Sequence, residues 1–237
     1  MKIDISYKLK KYIDIVEKQT GRKVLIEINE DLGVSGMSAA FVDHPTHLKI
    51  IFNKSFQNKD PEFEQSFAHE ITHGLLIFGK GYFTPQTSES ITNEELNFLG
   101  LICTLIDDIV VNKIIQQEGF EPFSSTYMGM LGKETKAFKN GDDIYREFPD
   151  IKFKSKFKIF RYVLAWGFLQ YFDISGEQRN QLNEFVKTFE TTYPVEFEES
   201  TKICNCMLKN SVFNSEGHEI TFRYVIDLWG LNDKIVN

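Results

Sequence analysis

Residues 67–76 read FAHEITHGLL, and within them His69, Glu70 and His73 stand in the order His-Glu-x-x-His. Only five histidines occur in the chain, so two of them four positions apart form a concentrated signal. On a helix, positions i and i+4 lie one above the other, about 5–6 Å apart, and both imidazoles face one point. That arrangement suits a tetrahedral Zn2+, one per chain. Glu70 projects beside such a metal, where a carboxylate can take a proton from an activated water and hand it to a leaving amine. The chemistry expected is hydrolysis, with His69 and His73 as ligands and Glu70 as general base. The competing reading is a half-buried helix carrying two hydrogen-bonded histidines.

A hydrolytic zinc site needs a third protein ligand and leaves its fourth position to water. Asp107 and Asp108 interrupt the otherwise apolar run Ile102–Val111, and a buried carboxylate is costly unless something ionic meets it. Gly100, Thr104, Asp108 and Asn112 recur at steps of four, forming one small or polar stripe on a greasy helix. Asp108 on the metal, with Asn112 and Thr104 bracing the ligands behind it, is the arrangement this stripe suggests. Asp107 and Glu94 are the alternative third ligands. The competing reading of the aspartate pair is a polar helix face turned to solvent.

With these residues the chain resembles the zincins, zinc metallopeptidases built on a His-Glu-x-x-His helix. It is most similar to the gluzincin type, in which a second helix supplies an acidic ligand and a supporting residue four positions later. Asp-Ile-Val-Val-Asn at 108–112 resembles the Asp-x-x-(Val/Ile)-Asn helix of predicted bacterial metallopeptidase domains, and by analogy the Glu-x-x-Ala-Asn helix of ImmA/IrrE-like peptidases. The likeness spans roughly residues 1–118. It departs from most gluzincins in offering an aspartate in place of a glutamate. Glu94 in Asn-Glu-Glu-Leu resembles the start of the thermolysin-like Asn-Glu-x-x-Ser-Asp motif, but Phe98 occupies the place of its aspartate. A metzincin needs Gly at 76 and a ligand at 79, where this chain has Leu76 and Gly79. A deformylase takes a cysteine ligand from upstream, and none precedes Cys103.

The resemblance implies an α+β zincin-like fold: a small N-terminal sheet, the motif helix, a second ligand-bearing helix and an all-helical C-terminal part. It also implies a peptide or protein substrate laid along a sheet edge above the metal. His47–Asn53, immediately before the motif helix, takes that edge role, against the plainer reading of a strand paired on both sides. A different class of function stands beside the peptidase: a catalytically silent binding or regulatory module that keeps the metal site.

The elements that must position these residues are legible in outline. Ile5, Leu9, Tyr12, Ile13 and Val16 predict a first helix ending at Gly21. Val24, Ile26 and Ile28 alternate as a strand, and MSAAFVD and HLKIIFNKSF flank the turn DHPTH as a hairpin. Asp60 and Pro61 predict the start of the motif helix, closed by Gly79 and Gly81. Thr92 with Glu95 forms a capping box that opens a long helix to Gly119. Residues 120–155 read as a loop-dominated connection with one short helix at most. Four further helical segments follow. A catalytic region at 1–130 and a helical region at 131–237 are expected to pack into one compact unit.

Composition narrows the function classes. A net charge of -7 with no dense Lys/Arg patch argues against nucleic acid or an anionic membrane as partner. The charged N-terminal stretch lacks a signal-peptide core, and no apolar run is long enough to span a bilayer, so a cytoplasmic protein is expected. Three cysteines, two of them as Cys204-x-Cys206, do not make a disulfide framework. His218, Tyr82, Tyr127 and Tyr224 are candidates for an oxyanion donor, each more simply read as structural. His44 and His47 flank Pro45 in a turn, and Trp166 and Trp229 read as core.

Overall fold

A computed structural model describes residues 5–29, 39–53, 62–122, 125–146, 148 and 150–236. The expected helix start at Asp60–Pro61 and the strand start at Met37–Ser38 lie outside these residues. The fold is mixed α+β and mostly helical: among the described residues it has eight α-helices and one three-stranded sheet. The chain divides into two compact units, one formed by 1–82 with 111–124, the other by 83–110 with 125–237. Each unit takes two separate stretches of chain.

In the first unit, α1 (Tyr7–Thr20) opens on Ser6, whose side chain accepts from the Leu9 N–H, and ends at Gly21 in the left-handed region at φ 68°. The strands are β1 (Lys23–Asn29), β2 (Ala39–Asp43) and β3 (His47–Asn53). Their order is β1-β3-β2, with β1 parallel and β2 antiparallel to β3. This corrects the expectation for His47–Asn53: β3 is the central strand, paired on both sides, and offers no free edge to a peptide. Leu48, Ile50 and Phe52 are buried while the residues between them are half-buried, so both faces are covered.

The motif helix, α2 (Phe63–Gly74), lies against this sheet. Phe63 and Phe67 stack on Phe52 at ring-centroid distances of 4.8 and 5.5 Å, and Ile71 is buried one turn further on. On its other flank Thr72 donates to the Ala68 carbonyl at 2.5 Å, so the Tyr12 hydroxyl of α1, 2.6 Å from Thr72 Oγ1, is the donor in that bond. Burial pushes the Tyr12 phenol up to about 12. Gly74 permits close approach to the sheet, since a Cβ there would stand 2.8 Å from Leu48 Cδ2 and 3.1 Å from the Phe41 ring. The helix then widens into a π-helical turn, Leu75–Gly79.

The long helix α3 (Asn93–Gln117) begins at the expected capping box: Thr92 N–H donates to Glu95 Oε2 at 2.7 Å, and the Glu95 N–H donates back to Thr92 Oγ1 at 3.2 Å. In the second unit it is joined by α4 (Ser125–Lys139), α5 (Ile151–Tyr171), α6 (Gly176–Thr192), α7 (Pro194–Asn210) and α8 (Ser215–Leu228). The connection at 120–155 is thus corrected. It holds the 15-residue α4, whose Met128, Leu131 and Phe138 are buried, and α5 already begins at Ile151. Among the described residues no helix is long and apolar enough to cross a membrane.

Candidate metal centre

His69 and His73 sit on successive turns of α2 because Ala68, Ile71 and Thr72 turn inward and leave the histidines and Glu70 half-buried on the opposite flank. The two Nε2 atoms are 3.2 Å apart, with the rings edge to face at 72°. Asn112 approaches from α3: its Oδ1 lies 2.9 Å from His69 Nδ1. An amide oxygen only accepts, so His69 carries its proton on Nδ1 and presents the Nε2 lone pair toward His73.

Asp108 stands one turn, about 6 Å of helix rise, before Asn112. The helix is unbroken between them, so Asp108 is carried to its place by the same rod that holds Asn112. One ligand atom each from His69, His73 and Asp108 lie within 4.8 Å of one another, and all three residues are half-buried. Two imidazole nitrogens bound to one tetrahedral zinc are about 3.3 Å apart, given Zn–N bonds of about 2.0–2.1 Å. The observed 3.2 Å fits that spacing. It also fits a single N–H···N hydrogen bond between the rings, which is what the pair makes with a proton in place of a metal. Donor types and number match a three-ligand zinc site: two neutral imidazoles, one carboxylate, and an Asn bracing one imidazole from behind.

No protein-family model, curated protein or solved structure matches this chain. What the centre can do follows from its own donors.

Glu70 lies between the two histidines, and its Oε2 accepts from the Phe41 N–H of β2 at 2.8 Å. Nothing in the sequence signalled this partner, because a backbone amide carries no residue signature. Asp107, one of the alternative ligands, faces elsewhere: its Oδ1 is 2.7 Å from His218 Nε2 on α8. His218 is fully buried, with Nε2 turned to that carboxylate. Glu94, the other alternative, is exposed in a surface groove with Asn97, Phe148, Asp150 and Phe153. It lies about 21 Å along α3 from Asp108, so the two cannot serve one metal.

Thr104 is not drawn into the cluster either. It is exposed, and its hydroxyl donates to the Gly100 carbonyl at 3.0 Å within its own helix. Cys103 and Cys204 have thiols pushed well up by burial, Cys103 further by the Asp107 charge, so both remain thiols. Burial pushes the phenols of Tyr82 and Tyr127 up as well. Tyr224 lines a surface groove with Lys202 and Cys206. His44 and His47 stack at 3.7 Å around Thr46 in the hairpin turn.

The Asn112 contact gives a direct prediction. Asn112→Ala removes the acceptor that fixes the His69 tautomer, and zinc affinity is expected to fall about 10–100-fold. Competition with a chromogenic chelator measures it, and an unchanged affinity sinks the bracing role.

Proposed function

We propose that the chain is a zinc-dependent peptidase of the zincin type, with His69, His73 and Asp108 as metal ligands and Glu70 as general base. The observation that carries this reading is the pair of Nε2 atoms 3.2 Å apart on α2, with Asn112 behind one of them and the Asp108 carboxylate within reach. Zinc bound there supplies a Lewis acid that polarises a carbonyl and makes water acidic near neutral pH. The Glu70 carboxylate, on the next residue of the same turn, takes the water proton on a carboxylate oxygen and returns it to the departing amine nitrogen. Asn112 holds His69 in the tautomer that leaves Nε2 open. The motif helix against a sheet and a second helix carrying Asp108 and Asn112 support the zincin-like assignment. Peptide or protein is the substrate class proposed, with no nucleic-acid or membrane partner, and the three free thiols suit a cytoplasmic setting.

The alternative is a binding module that holds metal and cleaves nothing, and one observation favours it: the Glu70 carboxylate is engaged by the Phe41 N–H. Elemental analysis of the purified chain tests the metal beneath both. One zinc per chain is expected in the wild type, with loss in His73→Ala and in Asp108→Ala. A metal-free wild type, even after reconstitution with zinc, leaves His69 and His73 as a hydrogen-bonded pair and removes the proposal.

A further inference from the structure

Among the described residues β2 pairs with β3 alone, and among them its other side is the edge of the sheet. In an antiparallel ladder, residues bonded to the neighbouring strand alternate with residues whose N–H and C=O point the other way. Phe41 is of the second kind, since its N–H is directed at Glu70 Oε2, 2.8 Å away. An outward amide on a sheet edge is what an added extended chain uses to pair. Here that amide is held by the carboxylate that the peptidase reading makes the base.

The geometry points to a base released by its own substrate: a main-chain carbonyl of an extended peptide takes over the Phe41 N–H, and the freed Glu70 carboxylate turns to the reacting water. This rests on the peptidase reading. The exchange replaces one N–H···O bond by another, and the carboxylate is the stronger acceptor of the two. Displacement therefore has to be driven by the remaining contacts of the peptide. A ligand with a single amide and little else leaves Glu70 latched, whereas an extended chain of several residues releases it. The substrate class is thereby narrowed to segments already unfolded or looped out.

Residue-resolved amide hydrogen exchange on the zinc-loaded, full-length chain tests the competition, with a peptic digest of casein as the peptide probe. Phe41 is expected to exchange slowly in the wild type and about tenfold or more faster in Glu70→Ala. Adding the digest to Glu70→Ala is expected to restore the protection. Val42, which by the alternation bonds to β3, should not move in any sample. Fast exchange of Phe41 in the wild type, or no protection by the digest in Glu70→Ala, overturns the proposal. Failure of the peptidase reading shows separately, as a zinc-loaded wild type that cleaves none of the digest. Failure of the release alone shows as intact cleavage with an exchange pattern that the digest leaves unmoved.

Discussion

Glu70→Gln is expected to retain one zinc per chain and to lose peptide hydrolysis by roughly 10²–10⁴-fold, the range that a positioned acid–base group contributes. Glutamine keeps the side-chain length and an oxygen that can accept the Phe41 N–H, so the local contact seen at 2.8 Å survives the change. What it lacks is the ability to carry a proton from water to a leaving amine. The variant thus separates the two jobs of the motif: metal holding, which belongs to His69, His73 and Asp108, and proton transfer, which belongs to Glu70. The checks are zinc content beside turnover of the same casein digest. Equal turnover in the variant and the wild type sinks Glu70 as the base. No turnover in either favours the silent module.

Arg161→Met carries the largest expected effect on stability. Arg161 on α5 and Glu134 on α4 are both buried, with Arg161 3% exposed. Arg161 Nε donates to Glu134 Oε2 at 3.2 Å, and Nη2 stands 3.1 Å from Oε1. Removing the guanidinium strands a carboxylate among the aromatic rings of the second unit, and breaking such a pair from one side costs about 3–5 kcal/mol. Burial already raises the Glu134 carboxyl above its usual range, against the pull of Arg161, so desolvation outweighs pairing at this position. For that reason the double variant Arg161→Met with Glu134→Met is expected to recover most of the loss. Urea unfolding of the wild type, both single variants and the double variant measures the coupling. A double variant as unstable as the sum of the singles sinks the account.

Much of what positions the site was legible because it is local. The two-histidine turn follows from helical period, the start of α3 is written in Thr92 and Glu95, and α1 is closed by Gly21. Strand order was not legible. The sequence of β3 looks the same whether it is an edge or a centre, and only pairing with β1, more than twenty residues earlier in the chain, decides which. The helix α4 was hidden by its own buried face: Glu134 and Thr135 lie inside with Leu131 and Phe138, and polar letters at inward positions break the apolar period. Glu134 is inside because Arg161 meets it there, a partner 27 positions away. The stripe at steps of four favoured Asp108 over Asp107, but what Asp107 meets was not legible. Its partner, His218, stands 111 positions further on.

The helix α3 belongs to both compact units, with 93–110 in one and 111–117 in the other. Neither unit is therefore a continuous piece of gene. A single cut anywhere between α2 and α4 takes from the first unit the stretch holding Ile115 and Phe120, or leaves that stretch attached at the expense of the second unit's first helix. Such a protein cannot be duplicated, swapped or fused by halves. Its two parts must be inherited together.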